Sequence, residues 1–138
     1  MTTIVVTGRH RPHEVLFLAL STTAGAAYVA GLKPPTTLEQ LVEPWVLWTW
    51  YLLLLSSGVI GLVSLVLADT YRALVLEQAA MTGQTAAPLL YGLALVASQN
   101  SAATFAVAFC LTWSAASVWR GRQVRQGIKA LRQAGDMT

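Results

Sequence analysis

The chain of 138 residues is long enough for one domain, and only 11% of it is charged while 55% is apolar, where soluble domains carry about 25% charge. Its formal charge is +3; the basic residues sit beside hydrophobic segments, which suits an anionic membrane surface and argues against nucleic acid as the partner. One cysteine, Cys110, excludes an intrachain disulfide and a cysteine metal cluster, and is read as a small packing residue.

Residues 1–10 read as a short polar tail. Arg9, His10, Arg11 and His13 form a basic flank to the first apolar run, and Pro12 suits the first turn of a helix. The sequence VLFLALSTTAGAAYVAG follows at 15–31, so a first span is expected over 12–31. It begins late and more hydrophobic segments follow, so it is read as a retained span and not as a cleaved leader. Glu14 falls in the first turn, where the helix dipole favours a negative charge, and is placed at the membrane edge. A carboxylate in the first span is also the proton and cation site of the small multidrug-resistance transporters, but the surrounding sequence of that family is missing. His10, His13 and Glu14 together are a weak metal signal.

In the loop 32–44, Pro34 and Pro35 are expected to stop the first helix. Thr36 or Thr37 then caps a short helix, with Glu39 or Gln40 completing a capping box. Leu38, Leu41 and Val42 give it one apolar side, placing it along a membrane surface.

The centre of the chain is WVLWTWYLLLLSSGVIGLVSLVLA, 45–68, which holds no charge and no proline. A helix of this length rises about 36 Å, enough to cross a hydrocarbon core of about 30 Å. Trp45, Trp48, Trp50 and Tyr51 crowd its start, as amphipathic rings do at the headgroup level, and Tyr71 and Trp119 are assigned to the opposite interface. Ser57 and Gly61 form a small-xxx-small pair for helix packing. Beyond it, Asp69, Arg72 and Glu77 are read as the exit from the bilayer, with the helix breaking near Gly83.

A third, shorter span is expected over 85–98 and a fourth over 102–119. The fourth carries Ala102, Ala106, Cys110 and Ser114 at four-residue spacing, a ridge of small side chains for contact within the bundle or between subunits. Phe105, Phe109 and Trp113 run beside it and are read as lipid or partner contacts. The tail 120–138 holds Arg120, Arg122, Arg125, Lys129 and Arg132, with Val124, Ile128 and Leu131 on one helical line. It is read as a basic amphipathic helix whose charges contact anionic lipid headgroups.

Four spans with both termini in the cytoplasm put Arg9, Arg11, Arg72 and the five tail cations inside and leave only Lys33 outside, as the positive-inside rule requires. The expected protein is all-α: a single transmembrane four-helix bundle in a bacterial or phage-encoded inner membrane, with no catalytic residue, metal or cofactor. Its partners are the bilayer and either further copies of itself or a larger membrane complex. In architecture the chain resembles phage holins, which are small, few-spanned and end in a charged cytoplasmic tail. That resemblance implies assembly through the small-residue faces and membrane permeabilisation. The alternatives are a non-catalytic accessory subunit of a membrane complex and, behind it, a small transporter or channel.

Overall fold

The computed structural model describes residues 12–99 and 103–135. Five helices account for nearly all of them: α1 (Pro12–Val29), α2 (Thr36–Leu41), α3 (Pro44–Val66), α4 (Thr70–Ala97) and α5 (Thr104–Gly135). No strand occurs among the described residues. Two of the helices, α3 with 23 residues and α4 with 28, are long and apolar enough to cross a membrane. Arg9, His10, Arg11, Asn100, Ser101 and Ala102 lie outside the described residues.

Local chemistry explains the helix ends, not always as expected. α1 does not run to its prolines. It stops in a Schellman motif, with Gly31 at φ 101°, the Gly31 N–H donating to Tyr28 O (3.1 Å) and the Leu32 N–H to Ala27 O (2.9 Å). A glycine takes this left-handed position without steric cost, so the helix ends there. The capping box expected at α2 is absent: Pro35 is the N-cap and no side chain caps the helix. Asp69, by contrast, is the N-cap of α4, its carboxylate accepting from the Tyr71 and Arg72 N–H groups at 3.0 and 3.2 Å.

The largest difference from expectation is α4. The break near Gly83 does not form, and the segment expected as a separate span over 85–98 is the second half of one continuous helix. A mid-helix glycine costs about 1 kcal/mol relative to alanine. Here the missing side chain lets α3 approach: a Cβ on Gly83 would lie 2.5 Å from the Ser57 Cβ. Pro88 also stays inside the helix, although it lacks an N–H and interrupts the intrahelical ladder. Donors from neighbouring helices reach the carbonyls around it. Ser114 Oγ donates to Thr85 O (3.1 Å) and the Trp50 indole N–H to Ala87 O (2.9 Å), as is usual where prolines are tolerated between packed apolar helices.

The long helices pack in chain order, α1 on α3, α3 on α4 and α4 on α5, each pair antiparallel. Glycines make the first contact close. A Cβ on Gly58 would lie 2.7 Å from the Thr22 N and 2.8 Å from the Leu18 O, both backbone atoms of α1. α5 returns along the whole of α4: Gly92 faces Cys110 near one end, while Gly121 faces Met81 and Gly127 faces Leu74 toward the other. The basic tail is therefore not a separate surface helix. It continues α5, with Val124 buried and the Arg132 guanidinium donating to the Tyr71 hydroxyl (2.9 Å). α2 closes the opposite end, its Leu38 fully buried among Trp50, Tyr51, Leu54 and Ala87.

The bundle carries large apolar side chains on its surface, and its mainly apolar interior also encloses polar ones. Leu16, Leu20, Leu52, Val59, Leu93 and Phe105 are exposed, whereas Ser21, Ser57, Ser64, Glu77, Gln84, Ser114 and Ser117 are buried.

Replacing Gly58 by leucine places a side chain where the α1 backbone runs and cannot yield. A loss of about 1–3 kcal/mol of stability is expected, measurable as a lowered unfolding midpoint in detergent, whereas Gly31→Ala acts only through its φ.

Candidate functional site

α1 and α5 face each other across a gap that only side chains bridge. Phe17 of α1 meets Trp113 of α5 with ring centroids 4.5 Å apart, and Phe109 closes the group at 6.2 Å from Phe17. The stripe expected to face lipid or partners is thus divided: Phe105 is exposed, Phe109 is part-exposed while meeting Phe17, and Trp113 turns toward α1. These rings separate two cavities. One, of about 340 Å³, is apolar and lies among Tyr28, Trp50, Tyr91, Ala106 and Cys110. The other, of about 170 Å³, is lined by His13, Glu14, Gln84, Trp113 and Arg120.

The charged end of the second cavity is an ion-pair cluster drawn from three helices. Arg120 of α5 places Nη2 2.7 Å and Nε 2.8 Å from one carboxylate oxygen of Glu77 on α4. The same Nε lies 3.5 Å from Glu14 Oε1 on α1. All three side chains are largely enclosed, at 16% exposure for Arg120, 10% for Glu77 and 18% for Glu14. Arg120, expected among the lipid-facing cations, instead turns into the bundle, because two carboxylates there offer what lipid would otherwise supply. Glu77, expected at a bilayer exit, sits seven residues into α4, about 10 Å along the axis. It lies between the Asp69 turn and the level of the Ser57–Gln84 bond, alongside the uncharged α3.

Deeper in the bundle, Gln84 joins α1 to α3. Ser21 Oγ donates to its amide carbonyl (3.1 Å), and its amide N–H donates to Ser57 Oγ (3.0 Å). Ser57 in turn donates to Leu54 O (3.3 Å). A buried amide with partners on both sides is inexpensive, and unpartnered it would cost about 1–3 kcal/mol. No local pattern marked Gln84. The signal was a glutamine inside an apolar run, in a helix that local reading had divided in two.

The remaining assigned residues fall as follows. Ser57 and Gly61 face α1 and α4, with Leu18 lying where a Gly61 side chain would be. Cys110 and Ser114 meet α4 at Gly92 and Thr85, and Ala106 lines the apolar cavity. These faces are filled within the chain. Trp45, Trp48, Tyr71 and Trp119 are exposed, while Trp50 and Tyr51 are buried. Among the described residues no group of three His, Cys, Asp or Glu side chains is placed to hold a metal ion.

No protein family model matches this chain, and neither the curated proteins nor the solved structures contain a match.

Removing one member of an enclosed ion pair leaves the other charge without compensation, so Arg120→Gln is expected to cost about 3–5 kcal/mol. The double variant Glu77→Gln/Arg120→Gln should cost much less than the sum of the two single changes. A double-mutant cycle on detergent unfolding measures the difference, and strict additivity would show that the pair is not coupled.

Proposed function

We propose that this is a four-span integral membrane protein of a bacterial or phage-encoded system, with both termini in the cytoplasm, which permeabilises the membrane it occupies in the manner of a holin. The observation that carries the reading is the apolar surface of the bundle, together with the polar groups enclosed beneath it. Large apolar side chains cover the outside of all four long helices, and hydroxyls, an amide and an ion-pair cluster lie between them. In water the exposed leucines, valines and phenylalanine would promote association; in hydrocarbon they are the favoured surface. In that setting Glu77 and Arg120 lie at the inner edge of the apolar slab, where an ionisable side chain is tolerated when it faces the bundle interior and finds a partner. The row from Glu14, Glu77 and Arg120 to Gln84, Ser21 and Ser57 is the polar track along which water and ions would pass once neighbouring copies loosen the helices.

A second reading, as an accessory subunit of a larger membrane complex, is favoured by a separate observation. The glycine and serine faces that would serve assembly are filled by helices of the same chain, so a single copy packs as a complete bundle.

Two measurements test these readings. Induced expression in a bacterium is expected to give a delayed collapse of membrane potential and release of a cytoplasmic marker. Sustained growth with an intact potential would remove permeabilisation and leave the subunit reading. For topology, with Cys110 replaced by alanine, a cysteine at position 33 should react with an impermeant thiol reagent on intact cells, and one at position 129 only after lysis.

A further inference from the structure

We propose that the outer groove between α4 and α5 is a binding site for one anionic phospholipid of the cytoplasmic leaflet, held by Arg122, Arg125 and Gln78; this rests on the membrane reading above. The groove encloses about 470 Å³ and is separate from the Glu14–Arg120 cavity. Its polar end holds the one buried side-chain oxygen without a hydrogen-bond partner among the described residues, Gln78 Oε1. Such an atom costs free energy unless a donor reaches it. The hydroxyls beside it are committed elsewhere, Thr82 to the Gln78 backbone carbonyl (3.1 Å) and Thr85 to the Met81 carbonyl (2.8 Å). Gly121 of α5 packs against the Gln78 amide, a Cβ there lying 3.5 Å from its nitrogen, and Ser117, Val118, Arg122 and Arg125 form the rest of that wall.

Charge sets the class of ligand. Arg122 and Arg125 line the groove and no carboxylate does. The nearest acid in sequence, Glu77, is already taken by Arg120. A phosphodiester between the two guanidiniums supplies the missing negative charge. The Gln78 amide lines the same groove and adds an N–H donor toward the phosphate, its oxygen being enclosed. Toward the other end the lining turns apolar, with Ala86, Leu89 and Val118. From Gln78 to Leu89 the helix rises about 16 Å, close to half of a hydrocarbon core of about 30 Å. That is the depth of one leaflet, and it fits an acyl chain running up from the headgroup. The arginines of the tail accordingly divide into two roles, Arg120 holding the bundle together and Arg122 with Arg125 reading the lipid.

The test uses the full chain in phosphatidylcholine nanodiscs doped with phosphatidylglycerol, counting retained lipids by native mass spectrometry after release. Phosphatidylglycerol should be retained in preference to phosphatidylcholine. Arg122→Gln/Arg125→Gln should lower that retention by about tenfold or more, and Gln78→Leu should lower it with both arginines in place. The control Arg72→Gln/Lys129→Gln removes the same charge outside the groove and should leave retention within about twofold. Equal retention of the two lipids, an equal loss in the control, or an unchanged Gln78→Leu would each overturn the site. Displacement of the lipid by millimolar inorganic phosphate would also overturn it, by reassigning the groove to free phosphate. Carbonate extraction of cell membranes, run in parallel, reports separately on the membrane reading: a chain released by carbonate fails that reading before any lipid is counted.

Discussion

The structure depends on one guanidinium. α1, α3, α4 and α5 pack in sequence, so the two outermost helices approach each other far less closely than neighbours do. Arg120 spans that gap, bonding to Glu77 beside it and reaching Glu14 across it. An unpaired charge among apolar helices is costly, so each of the three residues holds the other two in place. The stacked rings of Phe17 and Trp113 add dispersion to the same seam without determining its register. Because side chains alone bridge it, this seam is also where the cavities lie.

Elsewhere the helices meet through absent side chains. Gly58 admits the backbone of α1 and Gly83 admits Ser57, and in each case close approach makes up for the low helix propensity of glycine. Several polar groups inside are then satisfied by neighbouring helices. Gln84 is held by two serines, and the carbonyls near Pro88 by Trp50 and Ser114. Separate polar clusters thus sit within a mainly apolar interior, each with its partners inside the bundle.

The functional reading follows from the apolar surface and the polar groups it encloses, and not from any motif. Among the described residues no three His, Cys, Asp or Glu side chains are grouped so as to hold a metal ion. What the chain provides is charge and hydrogen-bonding capacity along the inside of a bundle, a basic groove outside, and a surface that matches lipid.

The sequence by itself determined the helical class and the positions of the apolar runs, because both follow from local composition. An uncharged apolar stretch from 45 to 66 reads as a helix, and leucine, alanine and glutamine continue one through about 70–81. The same reading divided α4 at Gly83 and set Arg120 among lipid-facing cations, since a lone glycine ordinarily weakens a helix and a basic tail ordinarily faces headgroups. Only the tertiary structure decided otherwise. Gly83 is stabilised by a serine 26 positions earlier, and Arg120 by a carboxylate 43 positions away. Whether a side chain faces lipid or the interior depends on which distant partner the fold brings to it, and no local pattern carries that information.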